Sequence, residues 1–245
     1  MDYGQKHSNI RSLVLGHWTK GFCHVFSGDY TSSIECSKKA LEISEDPYYS
    51  QFSKVLLGMG YAKKGQFREA EKPLREVVTF SQEFGAGQCG LPADATLGLV
   101  LIGMGHMSRG LKLVENKIQT FLEIKRKPVY AMMESSLGKV YLQIVDKSAP
   151  VTPSAMVKNI GFIIKNVPSA AKKGEAHLNR AIEIAKAIGA KGILGEAYLD
   201  LGLLYKAKGE KNKARELLSK GIEVFEHCDA EVFMKQAKEA LAKIE

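Results

Sequence analysis

Leu57-Gly58-Met59-Gly60-Tyr61, followed by Gly65-Gln66-Phe67-Arg68-Glu69-Ala70, is the stretch that decides how this chain folds. Its opening pattern, Leu-Gly-x-x-Tyr, returns at Leu137-Gly138-x-x-Tyr141 and Leu201-Gly202-x-x-Tyr205. A near copy, Leu97-Gly98-x-x-Leu101, differs only at its last position. Gly58, Gly98 and Gly138 stand 40 residues apart; Gly138 to Gly202 is 64, which is 40 plus an insert of 24. A fixed period in this range marks a repeat solenoid, whose units are too small to bury their apolar faces alone and stack on their neighbours.

Three of the four copies continue in the same way, and the insert interrupts the one at Leu137. A glycine follows (Gly65, Gly105, Gly209), and then a second apolar run: Leu74, Val77 and Val78; Val114 and Ile118; Leu218, Gly221 and Ile222. Glycine tolerates positive φ and so closes a helix. The small residues Ala70, Gly110 and Ala214 at the start of each second run let two helices approach closely. The unit is therefore helix, tight turn, helix.

The bulk composition agrees with a folded helical chain. Of 245 residues, 45% are hydrophobic and 25% charged, and only 7 are proline, so long helices are permitted. No apolar run approaches the roughly 20 residues of a membrane span. The opening Met1-Asp2-Tyr3-Gly4-Gln5-Lys6 lacks the basic-then-apolar pattern of a signal peptide. Cys23, Cys36, Cys89 and Cys228 show no CxxC spacing and are expected as reduced thiols in a cytoplasmic protein. The net charge of +8 is partly local: residues 147–173 hold Lys147, Lys158, Lys165, Lys172 and Lys173 and no acid. Elsewhere the signs alternate, as on solvated helix faces.

The helix–glycine–helix pattern resembles the tetratricopeptide repeat (TPR). That resemblance implies an all-α, TPR-type α-α superhelix, a right-handed solenoid of antiparallel helix pairs, with an inserted helix and a C-terminal capping helix. In this register residues 1–245 form one array. Its hairpins fall at about 9–45, 48–84, 92–126, 129–188 (with an insert at 147–170) and 193–228, and a capping helix at 230–244 closes it. The first hairpin departs most from the pattern, with His17, Lys20 and His24 at positions that are apolar elsewhere, which suggests that the N-terminal end is a fragment boundary. Within the insert, Met156, Ile160, Ile163, Ile164 and Val167 share one helical face, Ser154 is placed as an N-cap and Pro168 as a stop. The insert either covers apolar surface of the solenoid or forms a basic amphipathic helix for a membrane surface or partner.

Residues 159–225, NIGFIIKNVPSAAKKGEAHLNRAIEIAKAIGAKGILGEAYLDLGLLYKAKGEKNKARELLSKGIEVF, are similar to something narrower. They resemble the C-terminal TPR region of bacterial proteins that join a class III adenylate/guanylate cyclase domain to an AAA-type ATPase and then to TPR repeats. The insert and the wording Ala-Ile-Glu-Ile-Ala-Lys-Ala-Ile-Gly-Ala at 181–190 carry the likeness. It implies a sensory or scaffold segment of a larger signalling polypeptide, with a cyclase or ATPase domain as an intramolecular partner. No cyclase metal-binding carboxylate and no phosphate loop maps onto this chain.

Chemistry finds little support. Gly60-Tyr-Ala-Lys-Lys-Gly65-Gln66 has phosphate-loop glycine spacing but Gln where the Lys must stand, and Gly103-Met-Gly105 lacks a third glycine. His17 and His24 lie two helical turns apart, roughly 10 Å, too far to converge with Cys23 and Cys36 on one metal. No paired carboxylates and no nucleophile motif stand out. The expectation is a non-catalytic chain with no cofactor, no metal site and no catalytic residue.

What remains is a surface. In a TPR hairpin the first helix lines the concave face. The Leu-Gly register places there Leu15, Trp18, Phe22, Val25 and Phe26; then Phe52, Val55, Met59, Ala62 and Lys63; then Ala95, Leu99 and Ile102. It continues with Met132, Ser135, Lys139, Leu142 and Gln143, and with Glu196, Leu199, Leu203 and Lys206. A solvated groove should be polar, and this one is apolar along its N-terminal half. An apolar groove rich in aromatic anchors favours an amphipathic helix or apolar peptide. The partner-binding set is Trp18, Phe22, Phe26, Phe52, Val55, Met59, Leu99, Ile102, Met132 and Lys139. The alternatives are nucleic-acid or anionic membrane-surface binding through the basic insert 147–173, and a small-ligand sensor in the groove.

Overall fold

The glycine of Leu-Gly-x-x-Tyr is present because a neighbouring helix occupies the space of its missing side chain. A Cβ on Gly58 would lie 2.5 Å from Leu74, one on Gly98 2.6 Å from Val114, and one on Gly202 2.8 Å from Leu218; Gly138 stands against Leu178 in the same way. Leu74, Val114, Leu178 and Leu218 are all fully buried. The motif thus marks the point of closest approach within each hairpin, and the apolar residue that fills it comes from the second helix.

The computed structural model describes residues 9–146, 153–228 and 230–244, with the backbone alone for 153–166. Among these residues every regular element is an α-helix. The helices are α1 Ile10–Ser27, α2 Tyr30–Ile43, α3 Pro47–Lys63, α4 Phe67–Phe84, α5 Gly87–Gly103, α6 Met107–Glu123, α7 Lys127–Val145, α8 Pro153–Ile188, α9 Lys191–Ala207, α10 Lys211–Glu226 and α11 Glu231–Ala242. The chain is thus the all-α array of helical hairpins expected from its repeat.

Local chemistry sets the boundaries. Asn9, Asp29 and Asp46 cap α1, α2 and α3: their side-chain oxygens accept from the backbone N–H groups of Ser12, Ser32, and Tyr48 and Tyr49. Pro47 follows its cap at the first helical position. The turn after Tyr61 is closed by Gly65 at φ 81°, and the turn after Tyr205 by Gly209 at φ 79°, both left-handed.

The chain divides into two compact units, residues 1–117 and 118–245. In the first, α1 packs on α2 and α3, α3 on α4 and α5, and α4 on α5. Its core runs through Val25, Leu56, Leu74, Val77 and Val100. In the second, α7 packs on α8 and α9, α9 on α10, and α11 closes against α10 and α9. Its core holds Leu137, Tyr141, Leu178, Leu204, Leu218, Phe225 and Phe233, the last two with rings stacked at 5.5 Å.

One expectation is corrected. The insert does not make a separate helix stopped at Pro168. Pro168 lies inside α8, a single helix of 36 residues that begins at Pro153, so Ser154 falls within it rather than capping it. Proline removes one N–H and crowds the preceding turn, which usually breaks a helix. Here the ring is exposed and the helix runs on through it. Lys147 lies outside the described residues, as do the side chains of Met156, Lys158, Ile160, Ile163, Ile164 and Lys165.

Candidate functional site

On the first unit, α1 and α3 bring five aromatic rings into one row. Trp18 stacks on Phe22 at 5.4 Å, and Phe22 meets Phe26 edge-on at 5.1 Å. Trp18 also reaches Phe52 on α3 at 6.3 Å, and Phe52 meets Tyr48 at 5.4 Å. The spacing explains the row. Trp18, Phe22 and Phe26 recur every four residues on α1, and Tyr48 and Phe52 do so on α3, so each set occupies one helix face. Trp18, Phe22, Phe26 and Phe52 are half-buried, and Tyr48 is 37% exposed. Leu15, one turn before Trp18, is 42% exposed. The Arg11 guanidinium lies 5.8 Å from the Tyr49 ring and 3.8 Å from Asp46.

The other expected groove residues divide by burial. Val55, Met59 and Ile102 in the first unit, and Met132 in the second, are buried, as is Val25. Successive first helices pack directly on one another, α1 on α3 and α3 on α5, and Ile102 packs against Gly110 on α6, the second helix of its own hairpin. They support the face and do not present it. Leu99 is half-buried. Tyr48 was missed by the groove register, because it stands one turn before the first groove position of its hairpin. The signal was there: an Asp-Pro helix start followed by an aromatic four residues before Phe52.

The second unit has a different character. Lys139 on α7 is 3.7 Å from both Glu196 and Asp200 on α9, and both carboxylates are buried. Behind them, Glu134 on α7, only 1% exposed, meets Nδ1 of His177 on α8 at 2.5 Å, with Arg180 at 3.9 Å. The His177 ring stacks on Tyr141 at 5.6 Å with its plane within 5°. Further along, the Tyr205 hydroxyl donates to Glu175 at 2.5 Å. Burial first, and then that hydrogen bond to Glu175, push the Tyr205 hydroxyl up to about 12. The same bond is the main cause that lowers Glu175. Every one of these charges is held by another side chain of the same unit. That is the pattern of a structural network, not of a poised acid–base pair.

The histidine and cysteine residues of the first unit follow the same logic. Burial, with Lys39 and Lys20 nearby, lowers His17. Burial raises the thiols of Cys36 and Cys89, which makes them poor nucleophiles. All four cysteines are unbridged. Among the described residues no three His, Cys, Asp or Glu side chains converge on a metal position, and no helix is long and apolar enough to cross a membrane.

The tetratricopeptide repeat model matches residues 16–47 and 195–228, the first hairpin and the fifth. Repeats of this kind generally mediate protein–protein interaction through the surfaces their hairpins present. Among solved structures the chain is similar to nearly identical TPR-like repeats of Podosopora anserina, from a chain assigned as kinesin light chain. A point variant of those repeats gives 15% identity and a TM-score of 0.49. A second structure of the repeats gives 16% and 0.47. Each match covers 86% of this chain and 94% of the other. No curated protein matches the chain significantly.

Proposed function

We propose that this array of tetratricopeptide-type hairpins is a non-catalytic scaffold that docks a polypeptide on the aromatic row of its first two hairpins. The observation that carries the reading is the row itself. Rings from two helices, none of them fully buried, touch in sequence from Phe26 to Tyr48. Half-exposed Trp, Tyr and Phe side chains are the usual anchors of protein interfaces, because they bury much area at little entropic cost. The occupant is an apolar helix face or apolar peptide. The likeness of residues 159–225 to the TPR tails of cyclase–ATPase signalling proteins supports a regulatory role within a larger polypeptide, in which the partner is another domain of the same protein.

Trp18 is the chain's single tryptophan, so the row has its own reporter. A partner captured by affinity from source cells, then purified and titrated into the chain, should shift Trp18 emission to the blue as water leaves the ring. Phe22→Asp should abolish both capture and shift while the far-ultraviolet dichroism stays unchanged. A partner that binds the Phe22→Asp chain as tightly as the parent would place the interface elsewhere. Met59 is the wrong residue for this test: it is 6% exposed, and a carboxylate there would unfold the hairpin rather than interrogate the surface.

A further inference from the structure

The turn from α6 into α7 breaks a rule that its neighbours keep. Gly85, Lys125 and Gly189 each stand thirteen residues before a motif glycine, and each follows the second helix of a hairpin in the left-handed region, at φ 67°, 56° and 69°. The three turns share their hydrogen bonds as well. The N–H groups of Ala86, Arg126 and Ala190 donate to the carbonyls of Ser81, Phe121 and Ala185 at 3.2, 2.9 and 2.9 Å. The backbone is therefore the same, and what changes is the residue pair: Gly-Ala, then Lys-Arg, then Gly-Ala. A β-carbon in the left-handed region crowds the following carbonyl, so glycine is the residue this turn favours. Among the described residues Lys125 is the one non-glycine at positive φ.

A strained position that glycine would relieve directs attention to the side chain it carries. Lys125, Arg126 and Lys127 are three cations in a row, with Lys125 and Lys127 exposed and Arg126 half-buried. Lys127 is matched by Lys191 in the last hairpin, so the departure is confined to Lys125 and Arg126. Just ahead of them, Leu122 is 50% exposed and Ile124 45%. Of the described large apolar side chains that reach the surface to this degree, these two are the closest together in sequence. The one anion of the stretch, Glu123, is engaged along α6 by the Gln119 amide, which donates to it at 3.1 Å. Three cations against one carboxylate leave the turn net positive.

We propose that this turn is a docking point for an anionic lipid surface. Lys125, Arg126 and Lys127 meet the headgroup phosphates, and Leu122 and Ile124 enter the boundary between headgroups and acyl chains. Reversible membrane docking needs two signals, an apolar one and a cationic one, because either alone holds a protein weakly. Both are present here within six residues. Charge complementarity selects an anionic surface over a neutral one. Six residues of one turn are few against the roughly 20–30 that a specific protein interface uses on each side. Single-stranded nucleic acid is gripped by aromatic rings that stack on its bases, and residues 122–127 contain none. The turn belongs to the second unit and shares no residue with the aromatic row of the first, so either surface can fail without the other.

The test sediments the full chain with sucrose-loaded vesicles, either phosphatidylcholine containing phosphatidylglycerol or phosphatidylcholine alone. The chain should bind the anionic vesicles, release as salt rises, and leave the neutral ones. Lys125→Gly/Arg126→Ala gives the turn the Gly-Ala pair of its two neighbours. That variant should melt no lower than the parent, because glycine relieves the left-handed position, yet bind about tenfold or more weaker. Leu122→Ser/Ile124→Ser should weaken binding by a similar factor; both positions are exposed, and unchanged dichroism verifies the fold. Lys235→Gln/Lys243→Gln removes two exposed charges in and just after α11, and should change binding by less than about twofold. Any of five results would overturn the proposal: no binding to anionic vesicles at millimolar lipid, equal binding to neutral vesicles, either turn variant binding as the parent does, a loss in the α11 control as large as in the turn variants, or a single-stranded oligonucleotide that binds through the turn in place of the vesicles.

Discussion

In the first unit Lys54 meets Glu76 and Asp94 meets Lys117, each at 2.7 Å and with every side chain at least 22% exposed; in the second, Glu134 meets His177 at 2.5 Å with its carboxylate 1% exposed. Lys54, Asp94 and Glu134 occupy one register position, three residues before the motif leucine. All three tie the first helix of a hairpin to the second. What changes is the dielectric around the pair. At the surface, water screens the two charges and the pair contributes little. In the interior the same geometry is a commitment, since neither partner can be left alone. Thus the first unit spends its half-exposed face on aromatic rings, while the second spends its interior on interlocked polar groups. That division fits a first unit that offers surface and a second that holds shape.

The comparison makes its largest prediction at that register. His177→Ala strands the buried Glu134 carboxylate, with Arg180 at 3.9 Å and the Tyr130 hydroxyl left to face it. The change should cost about 3 kcal/mol, the lower part of the range for a broken buried pair. Lys54→Ala removes one half of a partly solvated pair and should cost about 1 kcal/mol or less. Urea melts of both variants read the difference. Equal losses would mean that burial does not separate the two units.

A second prediction isolates what the units share. Gly58→Ala and Gly202→Ala each place a Cβ against the leucine of the partner helix, at 2.5 and 2.8 Å. Each should cost about 1–3 kcal/mol by overpacking, despite alanine's better helix propensity. Gly87→Ala, with nothing within 4 Å of its Cβ and no positive φ, should be neutral or stabilising by up to about 0.5 kcal/mol. If Gly58→Ala and Gly202→Ala were also neutral in thermal melts, the motif glycine would be explained by something other than close approach.

Much of this was legible in the residues, and the reason is physical. Leu-Gly-x-x-Tyr encodes a local steric event, two helices touching at a missing side chain, and so it reads out directly. The aromatic row was legible for the same reason: Trp18, Phe22 and Phe26 declare their face by spacing alone. What a single helix cannot declare is what lies beyond it. Val55, Met59, Ile102 and Met132 share the register of the exposed rings but are buried in the packed array, Ile102 against Gly110 on α6. Asp200 and His177 gave no local signal, because their partners are 61 and 43 residues away in sequence. Pro168 misled because proline weakens a helix at one turn without always ending it.

The smallest prediction concerns two hydroxyls, one per unit. Tyr205, buried in the second, donates to Glu175 at 2.5 Å; Tyr48, exposed in the first, donates to Gln88 at 3.4 Å. Tyr205→Phe should cost about 1.5 kcal/mol, as expected for a bond to a charged acceptor, and Tyr48→Phe under about 0.5 kcal/mol. The buried bond also predicts a pH dependence. Tyr205 is pushed from its usual value of 10.0 up to about 12, so the folded state favours the protonated hydroxyl. Its contribution is therefore complete below pH 10 and is lost as pH rises from 10 to 12. Glu175 is shifted the other way, downward, so its share is present above the ordinary carboxylate range and is lost as pH falls through its lowered value. Melting temperatures of the parent and the Tyr205→Phe chain should therefore converge between pH 10 and 12, while Tyr48→Phe tracks the parent throughout. A Tyr205→Phe chain that keeps its deficit to pH 12 would show that the ring, and not the hydroxyl, does the holding. In that case the second unit would be built on ring packing, as the surface of the first is.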